Sequence, residues 1–144
     1  MNVIVFASRK GGSGKSTLAA HLAAQVHKAT KPCLLIDADP QGSLTLWHKL
    51  RGTNEPAIKT AVNSVSGIIA QAKRDGIEWV FIDTPPNSRE LLMRAGTLAQ
   101  LALVPVAPTG LEVDRLAPTL ELLADLQAQR EDLDVAVLLT RWSE

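Results

Sequence analysis

Short runs of apolar residues punctuate the chain at Asn2 to Ala7, Pro32 to Ile36, Trp79 to Ile82, Leu101 to Val106 and Val135 to Leu139. Between them, apolar positions recur at helical spacing over Ser16 to Ala29, Leu44 to Leu50, Val65 to Arg74, Ser88 to Ala99 and Glu112 to Gln129. Runs that are nearly continuous rather than alternating suit parallel strands buried on both faces. Strand patterns that alternate with helical ones predict βαβ units, and so an α/β fold with a mainly parallel sheet covered on both sides. Pro56 to Val62 is a weaker strand candidate. The stripe Leu116, Leu120, Leu123 and Leu126 is expected to pack on the sheet, because a crossover helix must bury one face.

Composition narrows the class. At 144 residues, 46% hydrophobic and 21% charged, the chain suits a single domain over 1–144. A formal net charge of zero advertises no global attraction to nucleic acid or membrane. The lone Cys33 forms no intramolecular disulfide and reads as a buried, inert thiol, which fits a cytoplasmic setting. The first apolar run is too short for a signal peptide core or a membrane span, so no membrane association is expected. His21, His27 and His48 lack metal-ligand spacing and read as structural or solvated. Trp47, Trp79 and Trp142 do not cluster with basic residues, which favours core packing over a base-stacking platform.

The chemistry concentrates in Arg9-Lys10-Gly11-Gly12-Ser13-Gly14-Lys15-Ser16-Thr17, directly after the first apolar run. Gly11, Gly12 and Gly14 permit backbone angles that turn successive N–H groups toward one anion. Ser13 sits within that cradle, and Ser16 and Thr17 open a helix whose N-terminus adds further donors. Lys15 would reach the β- and γ-phosphates, and the Ser16 hydroxyl would ligate Mg²⁺. The strict phosphate-loop pattern is not met, because its first glycine would fall at Arg9. Asp37 and Asp39 follow one strand and Asp83 ends another, where open α/β sheets gather ligand-binding groups. A polar turn that merely ends a strand is the plain alternative for the first pair.

The variant K-G-G-x-G-K-[ST]-T resembles the deviant Walker A of the ParA/MinD family of P-loop ATPases. Asp37-Ala38-Asp39-Pro40-Gln41-Gly42-Ser43, Asp83-Thr84-Pro85-Pro86 and Pro105-Val106-Ala107-Pro108 are similar to further segments of that family, the last to its small ParF-like branch. The resemblance implies a three-layer P-loop NTPase fold, ATP or ADP as ligand and Mg²⁺ as metal. It implies that Lys10 crosses to a partner's nucleotide in an ATP-sandwich homodimer. In switch I, Asp39 would position the attacking water and Asp37 would lie near the metal. Asp83 would hold Mg²⁺ through water, Pro86 would fix switch II beside the γ-phosphate, and Thr140 and Arg141 would contact the base. Arg89 and Arg94, on the helix after switch II, would face a dimer partner or DNA, or simply solvent.

Function follows from the same resemblance: a partition ATPase whose slow hydrolysis is stimulated by a ParB-like centromere-binding protein and whose dimer binds DNA non-specifically at the nucleoid. DNA binding in the family relies on basic residues near the C-terminus, which this chain lacks. The family continues through further strands and helices, so the resemblance also implies a C-terminally truncated domain. Two alternatives stay open: an ATP-dependent ligase or kinase for a small molecule, similar to dethiobiotin synthetase, and a shortened member that no longer hydrolyses ATP.

Overall fold

The computed structural model describes residues 1–8, 14–27, 31–61 and 64–140. In chain order the elements are β1 (Asn2–Phe6), α1 (Lys15–Val26), β2 (Cys33–Asp37), α2 (Ser43–Leu50), β3 (Ala57–Thr60) and α3 (Val65–Arg74). Then come β4 (Trp79–Asp83), α4 (Arg89–Gly96), β5 (Leu101–Val106), α5 (Gly110–Asp114), α6 (Leu116–Gln129) and β6 (Asp134–Leu139). The strands form one six-stranded sheet in the order β3-β2-β4-β1-β5-β6, and every neighbouring pair is parallel.

Consecutive residues of an apolar strand point to opposite faces, so each strand feeds two cores. Val3, Val5, Leu34, Ile36, Val80 and Ile82 pack against α3, α4 and α6. Ile4, Phe6, Cys33, Leu35 and Phe81 pack against α1 and Leu44 of α2. The result is the expected three-layer α/β architecture. Cys33 is buried, and that burial pushes its thiol up to about 12, as expected of an inert sulfur.

Three details depart from the sequence pattern. The helix expected over Glu112 to Gln129 is two helices, α5 and α6, meeting at Arg115. Pro118 has no N–H for the Asp114 carbonyl, and its ring would collide with that carbonyl in a continuous helix. The leucine stripe is also rotated: Leu122, Leu123 and Leu126 are buried, whereas Leu116 and Leu120 are only half-buried. Finally, the Val135 to Leu139 run forms an edge strand rather than a covered one, with Val137, Leu138 and Leu139 at 44%, 40% and 52% exposure.

Candidate nucleotide-binding site

The carboxyl ends of β1, β2 and β4 lie side by side at the middle of the sheet. Phe6 and Asp37 are both register partners of Asp83. The segment after β1 leads to α1 on one face of the sheet, and the segment after β4 leads to α4 on the other. Adjacent strands that send their chains to opposite faces open a crevice at their carboxyl ends, the usual ligand position in such sheets.

Gly14 enters α1 at φ 92°, a left-handed angle that a side chain would strain, and it offers no side-chain cap to the helix. An uncapped N-terminus of this kind suits an anion, whose charge the helix dipole and the first-turn N–H groups favour. Lys15 is buried at 6% exposure. Burial lowers its pKa, opposed by the carboxylates of Asp83 and Asp39. The Ser16 hydroxyl donates to Asp83 Oδ2. Asp83 is fully buried, and burial pushes its carboxyl up to about 6 despite the Ser16 hydrogen bond and the Lys15 charge.

The other oxygen of that carboxylate, Asp83 Oδ1, is buried without a hydrogen-bond partner. An orphaned acceptor beside a serine hydroxyl is a donor set that suits a hard divalent cation. Among the described residues no group of three or more His, Cys, Asp or Glu could form a metal site by itself. Mg²⁺ is commonly held by one or two protein oxygens together with phosphates and water, a contribution that Ser16 and Asp83 could make.

Asp37, expected near the metal, is engaged at both of its carboxylate oxygens. Its Oδ2 accepts the Thr45 N–H at 2.8 Å and the Thr45 hydroxyl at 2.6 Å, and its Oδ1 accepts the Asp39 N–H at 3.2 Å. Asp39 is half-buried in the loop between β2 and α2, close enough to Lys15 and Asp83 to influence both. Pro86 is half-buried in the turn that precedes α4, and Thr17 is exposed on the first turn of α1. Thr140 follows β6 and donates its N–H to the Val106 carbonyl at 2.8 Å, while its hydroxyl is buried without a partner. With β1 and β5 between β4 and β6, Thr140 stands three strand spacings from Asp83, roughly 14 Å across the sheet. Lys10, Gly11, Gly12, Ser13 and Arg141 lie outside the described residues.

The sequence reading missed two threonines. Thr45 carries the Asp37 contacts above, and the buried Thr84 donates its hydroxyl to the Phe6 carbonyl at 2.6 Å, tying the start of the loop after β4 to the end of β1. A threonine in the first turn of a helix with a glycine N-cap is the local signal for the first. No local pattern announces the second, whose partner is 78 residues away.

Residues 4–144 match the family described as the CobQ/CobB/MinD/ParA nucleotide binding domain. The chain is 33% identical over 127 residues to Protein ParA of Rhizobium radiobacter, a match covering 87% of this chain and 57% of that protein. It is 36% identical over 115 residues to maintenance of carboxysome distribution protein A of Gloeobacter kilaueensis, covering 77% of this chain and 52% of that one. The chain thus spans little more than half the length of these relatives. Among solved structures, cobyrinic acid a,c-diamide synthase of Mycobacterium smegmatis with bound ADP and magnesium superposes with a TM-score of 0.79 at 24% identity. That superposition covers 100% of this chain and 76% of the synthase, and at this identity it speaks to the fold alone.

Proposed function

The chain belongs to the CobQ/CobB/MinD/ParA family of nucleotide-binding domains, and from that premise we propose that it is a ParA-like ATPase whose ATP-dependent dimerisation drives partition of DNA or another cargo. ATP and Mg²⁺ are the cofactors of this family. The observation that carries the reading is the Lys15, Ser16 and Asp83 cluster, with Asp83 Oδ1 left free of protein donors. When bound, Mg²⁺ neutralises charge on the β- and γ-phosphates.

The chain's own groups divide the work. Lys15 supplies positive charge at the phosphates from a buried position where it is little screened. Ser16 and Asp83 hold the metal side. Asp39 orients the attacking water, a role that asks only for placement because phosphoryl transfer needs little covalent help. Lys10 reaches the nucleotide of a second copy, and Thr140 and Arg141 line the base. A ParB-like partner stimulates turnover. Among the described residues no helix is long and apolar enough to cross a membrane.

The relatives' names favour a positioning role over the ligase alternative. Light scattering of the chain with ADP and with a slowly hydrolysed ATP analogue tests the proposal. Doubling of mass with the analogue alone is expected, with Lys10→Ala binding nucleotide yet remaining monomeric and Lys15→Ala losing nucleotide dependence. Equal masses for wild type and Lys10→Ala under saturating analogue and Mg²⁺ would sink the sandwich. Asp39→Ala should bind ATP, dimerise and hydrolyse far more slowly than wild type.

A further inference from the structure

Helix α2 begins without a side-chain cap, because its N-cap is Gly42 at φ 67°. A glycine can turn the chain there but has nothing to offer the first-turn N–H groups. The fold supplies the missing acceptor from another element. Asp37, the last residue of β2, accepts both the N–H and the hydroxyl of Thr45 at Oδ2. Thr45 is the third residue of α2, the position whose N–H a capping side chain usually takes, and the helix dipole favours a carboxylate there.

The same carboxylate also fixes the near end of the loop. Its Oδ1 accepts the Asp39 N–H at 3.2 Å; Asp39 Oδ1 then accepts the Gln41 N–H at 2.9 Å, and the Asp39 carbonyl accepts the Gly42 N–H at 2.9 Å. Packing holds Ala38 at the start of this loop but leaves Pro40 and Gln41 exposed. Grooves of about 260 Å³ and 220 Å³ flank Pro40, one beside Leu46 and Lys49, the other beside Pro85 and Leu91. With the Ala38 N–H bonded to the Asp83 carbonyl at 2.9 Å, Asp37 supplies the side-chain acceptor for the Asp39 N–H and helps set where Asp39 stands.

We propose that Thr45 is a positioning residue for Asp39, acting through Asp37. The inference rests on the reading of Asp39 as the group that orients water. Removing the Thr45 hydroxyl leaves Asp37 Oδ2 with the backbone donor alone and frees the carboxylate to turn. Rotation of that carboxylate carries the acceptor of the Asp39 N–H with it. Catalysis that depends on placement loses rate when such a group shifts by about an ångström, while ground-state affinity is kept.

Thr45→Val preserves shape and removes the hydroxyl; Thr45→Ser keeps the hydroxyl. Amide hydrogen exchange in the nucleotide-free chain should be about tenfold faster over residues 38–45 in Thr45→Val and near the wild-type rate in Thr45→Ser, with α6 unchanged in both. In ATP hydrolysis, Thr45→Val should lower kcat about tenfold with KM unchanged, and Thr45→Ser should restore it. Unchanged exchange over 38–45 in Thr45→Val, or a loss that Thr45→Ser fails to rescue, overturns the proposal. Failure of the underlying reading looks different: Asp39→Ala would then hydrolyse ATP at the wild-type rate, whatever the exchange shows.

Discussion

The Ser16 hydroxyl donates to Asp83 Oδ2, which joins the first turn of α1 to the end of β4 across 67 residues of chain. This contact ties down one oxygen of a fully buried carboxylate and leaves the other orphaned. The fold thus holds an acidic group at a cost that a bound cation would offset.

That cost has a pH signature. Burial raises Asp83 from 3.8 to about 6, so between those values the folded chain binds a proton that the unfolded chain has released. Stability of the metal-free chain should therefore fall as pH rises from about 4 to about 6 and level off above, by at most about 3 kcal/mol from this group. Asp83→Asn should flatten this part of the profile and raise stability at pH 7, while abolishing any Mg²⁺-dependent gain with nucleotide. Urea midpoints across that range, with and without Mg²⁺ and ADP, measure both effects; a wild-type profile that does not fall would contradict them.

Thr84 should matter for stability as well as for the site. Its hydroxyl is buried and bonded to the Phe6 carbonyl at 2.6 Å. Thr84→Val keeps the volume but removes that donor, and the expected loss is about 1–3 kcal/mol. Thr84→Ser should recover most of it. Equal urea midpoints for the wild type and Thr84→Val would show that the Phe6 carbonyl does not depend on this donor.

Arg130 is a second polar anchor, far from the crevice. Nη1 donates to the carbonyls of Gly96, Thr97 and Ala99 at 3.2, 2.6 and 2.8 Å, and Nη2 meets Asp132 at 2.6 Å. These carbonyls close the end of α4, where a cation also answers the helix dipole. Arg130→Met retains much of the stem and should cost about 2–3 kcal/mol in chemical denaturation. Asp132→Asn should cost well under half as much, since its carboxylate is exposed and contributes mainly by steering the guanidinium. A larger loss for Asp132→Asn would reverse that assignment.

How far the sequence discloses this molecule depends on the range of the interactions involved. The alternation of apolar runs and helical stripes determines layers and strand positions, because burial of consecutive residues on two faces is a local demand of a parallel sheet. Asp83 is legible for the same reason, as the polar residue that ends a wholly apolar run. Asp37 is legible as a site residue only in part: its place at the strand end is local, but its engagement with Thr45 depends on how α2 docks. Pro118 is a local signal for the break, a missing N–H at the third residue of α6, that leucine spacing alone does not register. Edge position is a different matter. Val137 to Leu139 are as apolar as any central strand, and nothing in their composition reveals that β5 is the only strand they pair with among the described residues.

Gly96 shows how tertiary packing overrides local preference. It is the last residue of α4, and by propensity alone Gly→Ala in a helix should stabilise by up to about 1 kcal/mol. A Cβ at Gly96, however, would stand 2.6 Å from Leu126 Cδ1. Leu126 is fully buried in α6 among core residues, so its methyl cannot simply swing into solvent. Overpacking of this kind costs about 1–3 kcal/mol, which exceeds the propensity gain. Gly96→Ala should therefore lower the urea midpoint despite the better helix former. In a Leu126→Val background, which removes the reach of that methyl, the same substitution should become neutral or mildly stabilising. A Gly96→Ala variant that is more stable than wild type in the native background would mean that α4 and α6 separate readily, and that their contact contributes less to the core than its burial indicates.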